Sequence, residues 1–104
     1  MPINTRWMRM KNYMMLTALT DEGRKTVKDN PERIGQVNKA VESWGAKIIG
    51  QYALFGPYDF LTLLQAEDDM AILKIATELG ARGTLKTMTL PAIPIDDFIK
   101  GLLE

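Results

Sequence analysis

Asp59 is the residue whose type and neighbours most suggest chemistry. It follows Tyr58 and leads into Phe60–Gln65, a run with apolar residues on both alternating faces. A carboxylate drawn into a central strand loses water, and its pKa rises toward that of a useful general base. Tyr52, one strand earlier, and Tyr58 offer phenols as partners, so Asp59, Tyr52 and Tyr58 are the candidate catalytic residues. Asp at a turn also has a plainer use, which is to accept hydrogen bonds from nearby amides and fix the chain.

A second cluster is Lys28-Asp29-Asn30-Pro31-Glu32-Arg33. Lys28 and Arg33 flank a fresh helix start, where outward-pointing amides suit a carboxylate or phosphate. The plainer reading is a solvated kink with Asn30 as cap. Thr87 and Thr89 could add hydroxyls to a pocket, although threonine is also simply a good strand residue. The candidate ligand-binding set is therefore Lys28, Arg33, Tyr58, Asp59 and Thr87.

Composition narrows the chemistry. The 104 residues contain neither cysteine nor histidine. Ser/His/Asp and Cys/His catalysis are excluded, and thiolate and imidazole metal sites with them. The usual haem ligand is also missing. Glu67-Asp68-Asp69 reads as a helix start rather than a metal site. No glycine-rich phosphate loop is present. We expect no metal and no cofactor. Thirteen basic residues cancel thirteen acidic ones, so neither nucleic acid nor an anionic membrane is an expected partner. No apolar run is long enough to span a bilayer. Arg6, Arg9 and Lys11 before Tyr13-Met14-Met15-Leu16 mimic a secretory signal, but the apolar part is short and lacks a cleavage site. A cytoplasmic protein is expected.

The elements that must hold these residues follow from periodicity. Asn12–Leu19 reads as a strand with apolar residues on both faces. Thr20 caps a helix weakened by Gly23. Asn30-Pro31 starts a second, with Asn as cap and Pro at its first position. Ile34, Val37, Val41 and Trp44 form its stripe, and Gly45 ends it. Lys47–Leu54 and Tyr58–Gln65 form a hairpin about Phe55-Gly56-Pro57. In the first of these strands Ile48, Tyr52 and Leu54 share one face, with Ile49 and Ala53 on the other. A helix from Asp68 to Gly80 and a strand from Leu85 to Leu90 follow; Pro91 and Pro94 end regular pairing. Ile95–Leu103 is a short terminal helix. Residues 1–12 form an irregular extension from which Trp7, Met8 and Met10 could dock; residues 13–104 form the one domain.

The order β-α-β-β-α-β predicts an α+β, ferredoxin-like sandwich, with a four-stranded antiparallel sheet covered by helices on one face. The first and third strands are then central and apolar on both faces. A bare apolar sheet is unusual on a monomer, so either the C-terminal tail or a second copy must cover it. The tail is short. A symmetric homodimer is expected, with higher assembly open.

The stretch from about Tyr13 to Phe98 resembles the GYD-domain family. The resemblance rests on Thr20-Asp21-Glu22-Gly23, on Val27 through Arg33, on Gly50-Gln51-Tyr52, on Gly56-Pro57-Tyr58-Asp59, and on Gly83 through Leu90. It implies a dimeric α+β barrel. Related barrels include cofactor-free oxygenases, haem enzymes, isomerases and amino-acid-sensing modules, so fold does not choose among functions. The scarcity of catalytic residue types favours a small homodimeric ligand-binding or sensing module, with its pocket between helices and sheet. The alternative is a cofactor-free oxygenase or isomerase acting on small aromatic or enolic compounds, with Asp59 as base.

Overall fold

The computed structural model describes residues 10–104. Its elements are β1 (Lys11–Leu19), α1 (Asp21–Asp29), α2 (Arg33–Ser43), β2 (Lys47–Ala53), β3 (Phe60–Ala66), α3 (Asp69–Ala81), β4 (Leu85–Ala92) and α4 (Ile95–Leu103). The strands form one open antiparallel sheet in the order β2-β3-β1-β4. β1 and β3 are central, and the fold is the expected α+β, ferredoxin-like one. The expected extension over residues 1–12 falls mostly outside the described residues, Trp7 and Met8 included. Lys11 and Asn12 already belong to β1.

Local signals explain most boundaries. The Thr20 hydroxyl accepts from the Gly23 amide at 3.2 Å, and Asp21 and Glu22 fill the positive first turn of α1. The Asp68 carboxylate caps α3 through the Ala71 amide at 3.0 Å. Gly45 has φ of 106°, the left-handed conformation that favours glycine after a helix. Gly23 has a different purpose from the one its helix propensity suggests. A Cβ there would come within 1.9 Å of the Thr84 carbonyl oxygen, so glycine lets α1 touch the segment before β4. The Thr20 amide donates to the same oxygen at 3.0 Å.

Three expectations need correction. Asn30 closes α1, its amide donating to Thr26, and α2 starts at Arg33 after a turn in which the Arg33 amide donates to Asn30 at 3.0 Å. Asn30 therefore ends one helix rather than starting the next. β4 continues through Pro91, which lies opposite Tyr13. An edge strand tolerates proline because one of its sides feeds no ladder. The third correction concerns β2. Pairing steps from Ile48↔Leu64 to Gly50↔Leu63, leaving Ile49 as an extra residue. One bulged residue reverses which way every later side chain points. Ile48 and Gln51 consequently share the face of Leu64 and Thr62, whereas Tyr52 shares that of Leu61.

The core lies between sheet and helices. Met15 and Leu64 meet Val41 of α2 and Ile72, Ile75 and Leu79 of α3, all buried. Trp44 packs at the margin, with the Arg82 guanidinium 5.4 Å from its ring centre. The opposite face of the sheet carries Met14, Leu16, Leu61 and Leu63, half-buried, and Tyr52, Met88 and Leu90, exposed. Helix α4 does not roof that face. Every residue of α4 is exposed, Phe98, Ile99, Leu102 and Leu103 among them.

Tyr13 ties the central strand to the start of α3. Its hydroxyl donates to the Asp69 carboxylate at 2.6 Å. Burial, reinforced by this bond and the charges of Asp69 and Asp68, pushes the phenol up to about 12. The native state thus holds the proton more tightly than the unfolded chain does. The associated stability is fully present below pH 10 and is lost as pH climbs from 10 toward 12. A phenol held at about 12 instead of 10 corresponds to a loss of about 2–3 kcal/mol. Urea denaturation across this range should show the decline in the natural chain, and Tyr13→Phe should remove that part of it.

Candidate functional site

A cavity of about 90 Å³ lies between the sheet and the first two helices. Met15 and Thr17 come from β1, Thr62 and Leu64 from β3, and Ile48 and Gln51 from β2. Val27 of α1 and Ile34, Val37 and Asn38 of α2 close the other side. The wall is mostly apolar, as in most small-molecule sites.

The polar part is a connected group. The Asn38 amide donates to Gln51 Oε1 at 2.7 Å, and Gln51 Nε2 donates back to Asn38 Oδ1 at 3.2 Å. Gln51 Nε2 also donates to the Thr62 hydroxyl at 3.0 Å. Two carboxamides thus form a ring anchored on the sheet. Thr17 is 7% exposed, and its hydroxyl has no hydrogen-bond partner among the described residues. Arg33 and Arg82 are the cations on the wall, and both are exposed.

Of the residues singled out from sequence, Arg33 borders this cavity. Lys28 is exposed in the last turn of α1. Thr87 pairs with Thr17 across the β1–β4 ladder, but it is not part of the wall. Tyr52 lies on the opposite sheet face. The Tyr58 hydroxyl approaches the Met88 sulfur at 3.8 Å, also on that face, and not alongside Phe60 as strand alternation predicted. The Asp59 carboxylate accepts from the Leu19 amide at 2.7 Å and lies 3.7 Å from the Arg24 guanidinium. Its backbone amide donates to Thr17 at 2.7 Å, and its carbonyl accepts from Leu54 at 2.8 Å. Asp59 thereby fastens the hairpin loop to the end of β1 and the start of α1. Asp59 is not part of the cavity wall.

Sequence reasoning passed over Asn38, Gln51, Thr62 and Thr17. Asn38 is a polar residue beside an apolar helical stripe, and both threonines occupy inward positions of otherwise apolar strands. Those signals were readable. Gln51 was hidden by the bulge, which turned it inward. Among the described residues no cluster of metal-binding side chains occurs, and no helix is long and apolar enough to cross a membrane.

The pattern of the GYD domain matches residues 13–102. The chain belongs to the GYD-domain family. A relative from Thermus thermophilus, named glutamine synthetase and cystathionine beta-lyase binding protein, is 44% identical over 94 residues. That match covers 89% of this chain and 99% of the relative. Two solved structures share the fold. MtbAldR superposes with a TM-score of 0.65 at 17% identity, over 90% of this chain and 59% of that one. TTHA0845, also from Thermus thermophilus, gives 0.52 at 21% identity, over 82% and 95%.

Asp59→Ala would leave the Leu19 amide without its acceptor, while Arg24 would keep Asp21 and the Leu19 carbonyl. We expect a stability loss of about 1–3 kcal/mol in chemical denaturation. Asp59→Asn retains an acceptor oxygen and should lose less.

Proposed function

We propose that this GYD-domain protein is a homodimeric small-molecule-binding module of the cytoplasm. The cavity carries the reading. It lies between helices and sheet, is apolar on most sides, and is equipped with a few converging neutral polar groups. The cofactor-free oxygenase or isomerase alternative would want Asp59 beside that cavity, whereas its carboxylate is engaged by Leu19 and Arg24.

Two apolar surfaces support the dimer. Four strands of seven to nine residues, about 4.8 Å apart, give a sheet face of roughly 500 Å² in plan. A stable interface takes about 800 Å² from each partner. The sheet face therefore needs a second contribution, and α4 offers one, with Phe98, Ile99 and Leu102 uncovered. Two sheets facing each other across a two-fold axis, with the α4 helices closing the sides, would bury both surfaces.

The Thermus thermophilus relative is named for binding two enzymes. At 44% identity we extend the principle to this chain: occupancy of the cavity would be read by an enzyme docked on the dimer. Sensing, in this reading, belongs to the protomer and output to the assembly.

Sedimentation at micromolar concentration should give a dimer, and Leu61→Lys, set in the middle of the sheet face, should give a folded monomer. A monomeric natural chain would contradict the dimer. A thermal-shift screen of small metabolites should find compounds that raise the melting temperature without being turned over. Turnover of a stabilising compound would favour the enzyme instead.

A further inference from the structure

We propose that the cavity selects an uncharged carboxamide, linear or cyclic, on a short branched aliphatic body. This rests on the reading of the cavity as a small-molecule site and names the class of molecule it takes.

The selectivity follows from which hydrogen-bonding positions are occupied. Both N–H groups of Gln51 are used, one on Asn38 and one on Thr62. Gln51 Oε1 accepts one bond from Asn38 and retains a free lone pair. The Thr62 hydroxyl accepts from Gln51 and keeps its own proton to donate. Thr17 brings a hydroxyl with no partner among the described residues, although the residue is 7% exposed. Thr62 pairs with Met15 and Thr17 with Phe60, so the two threonines are diagonal neighbours on one face. The floor thus presents hydroxyl donors next to an amide acceptor. A ligand carboxamide answers both: its carbonyl accepts from Thr17 and Thr62, and its N–H donates to Gln51 Oε1.

Charge excludes the obvious competitors. A carboxylate can accept from the hydroxyls but would face the lone pair of Gln51 Oε1, and the two cations of the wall, Arg33 and Arg82, are both exposed. Arg33 is exposed at the rim and donates to Gln36 at 3.3 Å, and Arg82 is exposed against Trp44. An ammonium group would find no acidic side chain on the wall. An ion buried without a counter-charge is strongly disfavoured. Volume limits the body. An engineered cavity of about 150 Å³ accommodates benzene. The present cavity, at about 90 Å³, suits roughly six heavy atoms or fewer.

Three compounds of one shape separate the possibilities: isobutyramide, isobutyrate and 3-methyl-2-butanone. Each is titrated into the isotope-labelled full chain at neutral pH and followed by amide NMR, including the side-chain signals of Asn38 and Gln51. Isobutyramide should shift the cavity signals and bind about tenfold tighter than either analogue, the worth of one well-made hydrogen bond. Thr17→Val should weaken isobutyramide by about the same factor while the melting temperature stays level or rises, since the lost hydroxyl had no partner. Thr89→Val is the control. Its hydroxyl is buried without a partner among the described residues, but it lies off the cavity wall, so affinity should not change. Equal or tighter binding of isobutyrate or the ketone, or unchanged affinity in Thr17→Val, overturns the carboxamide assignment and leaves the binding module intact. Absence of cavity shifts with all three compounds overturns both.

Discussion

A four-stranded sheet has two faces, and this chain has packed helices for one. Nearly everything else in the structure answers to that shortage. The central strands carry apolar side chains on both sides, so Met15 and Leu64 are buried under helices while Met14 and Leu63 are only partly buried. Helix α4 adds apolar surface instead of removing it, because all its residues are exposed. Apolar area left in water loses the main driving force for folding. On the reading proposed here, a second copy restores it.

The bulge at Ile49 ties that uncovered face to the cavity. One inserted residue sends Gln51 toward the helices and Tyr52 toward the open face. Neighbouring residues of a single strand therefore address the cavity and the proposed interface. A regular strand would also have alternated, but with the opposite parity. Gln51 would then have joined the open face, and the ring with Asn38 and Thr62 could not have closed.

The architecture was legible because it depends on repeated features. Short runs apolar on both faces marked β1 and β3, three- and four-residue spacings marked α2, and Thr20 and Asp68 act as the caps their types suggest. The resemblance built on Gly56-Pro57-Tyr58-Asp59 and its companions led to the right family. The cavity was much less legible. Its polar group depends on the bulge at Ile49, a three-dimensional pairing event without a fixed sequence mark. Asp59 drew attention through its chemistry, yet its bonds to Leu19 and Arg24 fit the plainer role of fastening a turn. Gly23 shows the same effect on a smaller scale: its type suggested a weak helix, and the contact with Thr84 explains it.

The most direct test is an isotope-filtered NOE measurement on a mixture of labelled and unlabelled chains. Contacts from the methyl groups of Met14, Leu61 and Met88 to protons of a different molecule are the predicted result. Methyl groups that see only water and their own chain would contradict the account, for the open face would then be tolerated in solvent and no second copy would be required.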